Sequence, residues 1–192
     1  MKYKKENKRW GLILFIIFVV MGTSFSFVFF GFSTVTEKVK YKGISFTNNN
    51  NVWIAKITGK YAAFSFLPGD VEGIFAFNDS LARLQNKLEI DSTYDLNSTF
   101  AQSIALAQHQ LGLTLETYNI YLRKGFTTNN SFNLPVITCD DATATVPVVY
   151  FKYGNSSSIH LSDNCVIAEA STNTDFIKVK DRILYGMLGV IK

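Results

Sequence analysis

The hydrophobic pattern opens with one long unbroken block and then splits into short periodic runs. Gly11 to Phe32 are 22 consecutive positions without a charge. At about 1.5 Å of rise per residue they make a helix of roughly 33 Å, enough to cross the hydrocarbon of a bilayer. A retained membrane helix is expected. A cleaved signal shares the basic start but has a shorter apolar region, and cutting near Gly22, Thr23 and Ser24 would leave FSFVFFGF as a bare apolar end. Trp10 stands at the interfacial position. Gly22 and Ser26 have the small-xxx-small spacing that lets two such helices approach, which makes the span a candidate homo-oligomer contact.

After a linker over 33–38, the pattern predicts a single α+β domain over 39–192, with a mixed sheet and about three helices. Val39 to Thr47 alternates, with a change of parity at Gly43 that predicts a bulge. A turn at Asn48–Asn51, a strand over Val52–Ile57, a tight turn at Thr58-Gly59 and a strand over Lys60–Phe66 complete a three-stranded antiparallel meander, which Pro68-Gly69-Asp70 ends. Asn78 or Asp79 is placed to cap a short helix through Asn86. From Leu88 the period becomes two, with Ile90, Ser92 and Tyr94 following on one face of a half-buried strand. Thr99-Phe100-Ala101-Gln102 has the capping-box form and opens a helix to Leu111, with Gly112 as its stop. Leu113–Leu122 suits either a continuing helix or a strand. The strand is preferred for Gly112 and for the β-branched and aromatic content, and it would then make a strand–helix–strand crossover.

Gly125–Asn133 reads as a polar loop and Leu134–Thr138 as a short strand. Val146–Lys152 and Ser158–Ala168 read as a hairpin around Gly154-Asn155. Asp175–Ile191 is a final helix, apolar at Phe176, Val179, Ile183, Met187 and Val190, in which Gly186 and Gly189 cost roughly 1 kcal/mol each and imply close packing against the sheet.

Charge fixes the expected topology. Of 19 Lys and Arg, five lie at Lys2, Lys4, Lys5, Lys8 and Arg9, beside the single acid Glu6. A basic tail over 1–10 keeps the N-terminus in the cytoplasm and sends the domain outside. The remaining residues are balanced in charge and hold no basic cluster, which excludes nucleic acid as a partner and leaves the lipid bilayer. With two cysteines, Cys139 and Cys165, an oxidising compartment predicts a disulfide. Two Cys without a neighbouring His supply too few ligands for zinc.

Candidate chemistry is sparse. The chain carries no phosphate-binding loop, GxGxxG, HExxH, GxSxG or CxxC, so no catalytic residue, metal ligand or cofactor is assigned. His109 is expected to be solvated on its helix and His160 to point away from Ile159 and Leu161. Asp140-Asp141 is expected to cap a turn, and Asp181-Arg182 to form a surface ion pair with a neighbouring element, stabilising by at most about 1 kcal/mol. Asn-x-Ser/Thr sequons occur at Asn78, Asn97, Asn129 and Asn155. Asn129 and Asn155, in predicted loops, are the best glycan acceptors.

Cys139, Asn164-Cys165 and Asp181-Arg182-x-x-Tyr185-Gly186-x-x-Gly189, within the last third of the chain, resemble a pattern of uncharacterised archaeal single-pass membrane proteins. The resemblance implies an S-layer-type cell envelope as the setting and carries no activity. The leading expectation is a non-enzymatic, membrane-anchored envelope protein displaying a binding or structural domain, with envelope or membrane proteins as partners. Two alternatives compete with it. Lys8-Arg9-Trp10-Gly11 resembles the processing site of type IV pilins, with an intervening Trp and with Ile16 where those have an acid. An extracytoplasmic hydrolase would need His109 or His160 to meet an acid and a hydroxyl.

Overall fold

The computed structural model describes Phe15 and residues 37–191. The predicted membrane helix, Phe15 apart, and the basic tail lie outside the described residues. Among the described residues no helix is long and apolar enough to cross a membrane. The chain divides into two units between Thr36 and Glu37, and the second unit is the α+β domain.

Its first strands are set by two-residue turns whose central residues both have positive φ, as a type I′ hairpin requires. These are Lys42-Gly43 (45° and 84°), Asn50-Asn51 (50° and 63°) and Thr58-Gly59 (49° and 86°). They join β1 (Lys38–Tyr41), β2 (Ile44–Asn49), β3 (Val52–Ile57) and β4 (Lys60–Phe64) into an antiparallel sheet in sequence order. The predicted bulge at Gly43 is therefore a chain reversal, and the meander has four strands rather than three. Phe46, Ala55, Ile57, Ala62 and Phe64 are buried on its inner face.

The chain continues through α1 (Pro68–Val71), β5 (Phe75–Ala76), α2 (Asn78–Leu84), β6 (Glu89–Tyr94), α3 (Ala101–Thr117) and β7 (Tyr121–Lys124). It ends with β8 (Val148–Tyr153), β9 (Ser158–Ser162), β10 (Cys165–Ala170) and α4 (Asn173–Met187). The second sheet has six strands in the order β5-β9-β10-β8-β6-β7. Neighbours β10, β8, β6 and β7 run parallel, and β9 is antiparallel to β10. The predicted crossover is present as β6-α3-β7, with different boundaries. The helix runs through Gly112 to Thr117 and the strand begins at Tyr121. Gly112 is not a stop: it lies inside α3 where the helix packs on β7, and a Cβ there would make ordinary contact with Leu122 at 3.4 Å. The capping box at Thr99 does not form either, since α3 starts at Ala101 and the Phe100 amide donates to Ser98 Oγ at 3.2 Å.

The predicted hairpin around Gly154-Asn155 is also corrected. Ser158–Ala168 is two strands, with Asp163 at φ 53° in the turn between them. β8 pairs with β10 rather than β9. Leu134–Thr138 forms only a single bridge, Val136 to Phe126, instead of a strand.

α4 is buried at every position from Val179 to Gly186, as befits a helix enclosed by its neighbours. Tyr185 stacks on Phe64 of β4 with ring centroids 4.1 Å apart, while α3 and α4 pack on each other and on the large sheet. Thr172 Oγ1 accepts from the Asp175 amide at the helix start. At its end Val190 N donates to Tyr185 O and Gly189 N to Gly186 O, the paired bonds of a Schellman motif around Gly189 at φ 73°. The predicted last helix therefore stops before Gly189, and Gly186 packs on Leu81 of α2 rather than on the sheet.

The other face of the large sheet is covered by the loop after β7. Ile137, Val148, Cys165 and Ile167 form a separate small core there, with Cys139, Ala142 and Tyr150 against it. β6 is consequently buried on both faces, not half-buried, and Leu88 before it is 83% exposed. The loop presses closely on the sheet at Gly125, where a Cβ would meet the Pro135 carbonyl oxygen at 2.5 Å and Ile137 Cδ1 at 2.7 Å. Gly125→Ala is expected to cost about 1–3 kcal/mol through overpacking, read as a lower urea midpoint with an unchanged slope.

Candidate functional site

The disulfide expected from sequence is present: Cys139 and Cys165 are bonded, 26 residues apart. It ties the short 3-10 turn Cys139–Asp141 to the start of β10, where Cys165 is buried beneath the covering loop. Asp141 caps that turn, its Oδ2 accepting from Thr138 N at 2.8 Å and Thr138 Oγ1 at 3.1 Å. Asp140 is exposed.

The two histidines are not brought together. His109 is exposed on α3 and borders a shallow groove with Gly112, Leu113, Glu116, Tyr121 and Lys124. His160 is half-buried on β9, paired with Ile167, so by alternation it belongs to the disulfide side of the sheet while α3 lies on the opposite side. Among the described residues no group of three or more His, Cys, Asp or Glu is placed to hold a metal ion.

Buried charge is where the sequence reading missed most. Asp181 is wholly buried and pairs with its neighbour Lys180, itself 1% exposed, rather than forming a surface ion pair with a neighbouring element. Its other oxygen accepts from the Ser65 and Phe66 amides, each at 2.9 Å. Tyr185 OH donates to Phe66 O at 2.7 Å, so α4 holds the end of β4 by side chains alone. Burial pushes the Asp181 carboxyl up, opposed by Lys180 and the two amides. The Tyr185 phenol is raised by burial and then by Asp181.

On the far side of the large sheet, Asp91 is 1% exposed and accepts both from Arg123 Nε at 2.7 Å and from its Nη2. This bidentate bond, with Glu89 3.5 Å away, raises the guanidinium pKa. Ser92 Oγ accepts from Gln108 Nε2 at 2.9 Å, and Thr93 Oγ1 donates to Ile137 O at 2.7 Å. The three buried polar residues of β6 are thus each satisfied and each tie the strand to a different neighbour, a structural use of polarity.

Polar groups converge at the carboxyl edge of β6 and β8, where crevices in sheets of parallel strands tend to form. A cleft of about 400 Å³ there is lined by Asp95, Ser98, Thr99, Tyr150, Lys152 and Tyr153. Asp95 Oδ1 accepts from Asn97 N at 2.9 Å, and Lys152 Nζ lies 3.2 Å from Glu169 Oε1. Tyr153 is 57% exposed, and its ring lies parallel to that of Phe100, with centroids 5.7 Å apart and planes at 4°. The cleft offers hydroxyls, a carboxylate and an aromatic face; its lining holds no imidazole or thiol. These groups can hydrogen-bond to and stack against a polar ligand.

Asn97 and Asn155 lie on the loops that leave β6 and β8 at this edge, and Asn129 lies on the loop after β7; all three are exposed. Comparison with known protein families, curated proteins and solved structures finds no match.

Proposed function

We propose that this is a single-pass membrane protein of the cell envelope. Residues 1–10 stay in the cytoplasm, 11–32 cross the bilayer, and the α+β domain stands outside, acting by binding or structural contact rather than by catalysis. The observation that carries the reading is the Cys139–Cys165 disulfide, which fastens the covering loop to the large sheet. Such bonds persist in oxidising compartments and are rare in a reducing cytosol, and the uncharged stretch with its basic flank supplies the route outward. The cleft at the carboxyl edge supports contact with a polar partner.

Protease treatment of intact cells carrying tags at both ends is expected to remove the C-terminal tag and spare the N-terminal one. Digestion of the N-terminal tag with survival of the domain would overturn the topology.

A further inference from the structure

We propose that Asn155 carries an N-linked glycan whose first sugar packs on the exposed ring of Tyr153, two residues before it. The proposal rests on the extracytoplasmic placement argued above. Asn155 and Ser156 are exposed in the loop between β8 and β9, and Ser157 supplies the sequon hydroxyl. The loop is held at its base, where Gly154 N donates to Ala170 O at 3.1 Å and a Cβ on Gly154 would lie 2.8 Å from Glu169 Cβ. Tyr153 is held as well, because Phe100 backs its ring and itself touches Phe176 of α4 at 5.5 Å. A fixed, half-bare aromatic ring two positions ahead of an acceptor amide is a platform for the apolar C–H face of a sugar.

The other sequons lack this arrangement. Asn78 opens α2 and its partner hydroxyl, Ser80, is wholly buried. The residues two before Asn97 and Asn129 are Asp95 and Thr127, neither aromatic.

The chemistry is a redox-neutral transfer from a polyprenyl-phosphate- or diphosphate-linked oligosaccharide. Asn155 Nδ2 forms a bond to the anomeric carbon, the bond from that carbon to the phosphate oxygen breaks, the lipid phosphate leaves with the electron pair, and the amide nitrogen gives up one proton. A separate membrane-bound transferase performs the step.

The test uses the full-length protein purified from the cell that makes it, with peptide mass mapping of Asn155 and urea midpoints. Asn155 is expected to carry sugar mass that is lost in Asn155→Gln and in Ser157→Ala. The wild-type midpoint is expected to exceed that of Asn155→Gln. The difference is expected to vanish in a Tyr153→Ala background, and also when both proteins come from a host without N-glycosylation. An unmodified Asn155 on a domain that is protease-accessible and disulfide-bonded overturns the glycan proposal alone; a midpoint difference that survives Tyr153→Ala overturns the stacking. A cytosolic domain with free thiols overturns this proposal together with the envelope reading.

Discussion

Lys180→Met is expected to cost about 3–5 kcal/mol of folding stability, because it strands the Asp181 carboxylate in the interior of the domain. Asp181 is wholly buried and Lys180 is its ionic partner, so removing the ammonium leaves only the Ser65 and Phe66 amides to stabilise the charge. The pH dependence gives the effect its signature. Burial already holds the folded-state pKa of Asp181 above the ordinary carboxylate value, and loss of Lys180 raises it further. A group whose folded pKa exceeds its unfolded value, about 3.9, contributes its stability below that value and loses it as pH rises through the folded pKa. The deficit of Lys180→Met is therefore smaller at about pH 4 than at about pH 7. Adding Asp181→Asn, which keeps a carbonyl oxygen for the two amides and removes the charge, is expected to recover much of the loss. Urea unfolding of the two variants and the wild type at both pH values reads all three outcomes.

Removing the disulfide by Cys139→Ala with Cys165→Ala is expected to lower stability by about 3.5 kcal/mol, the entropy of an unconstrained loop of this length. The bond spans 26 residues of sequence, so the unfolded chain gains that freedom while the large core against α3 and α4 remains. The local consequence is confined to the small core of Ile137, Val148 and Ile167. Amide exchange is expected to quicken in the loop over residues 126–146 before it quickens in α4, whereas uniform loss of protection would show that the covering loop and the main core unfold as one unit.

The parts of this fold that were legible are those whose signal is local. Alternation placed the last two meander strands, the apolar spacing placed α4, and the cysteine count with the basic flank predicted the bond that the structure contains. What escaped depended on partners distant in sequence. Lys180-Asp181-Arg182 has the composition of a solvated helix face, and it is buried because Ser65, 116 residues before Asp181, brings the meander over it. Gly112 looked like a helix stop, since glycine costs roughly 1 kcal/mol within a helix, but α3 runs through it and packs on β7. The run SIHLSDNCVIA reads as one strand because its reversal falls on Asp163, which takes a positive φ without a glycine. Once that turn was missed, pairing β8 with β9 followed, although β8 lies beside β10. The carboxyl-edge cleft was invisible for a related reason: Asp95 and Tyr153 become neighbours only through the parallel pairing of β6 with β8.

The measurement that tests the account most directly is thiol labelling on intact cells with a membrane-impermeant maleimide, before and after an impermeant reductant. The account predicts no label on Cys139 or Cys165 at first and label on Cys139, the more exposed of the two, after reduction, since the pair is bonded and outside the membrane. Label that requires cell lysis but no reductant would place reduced cysteines in the cytosol and contradict it.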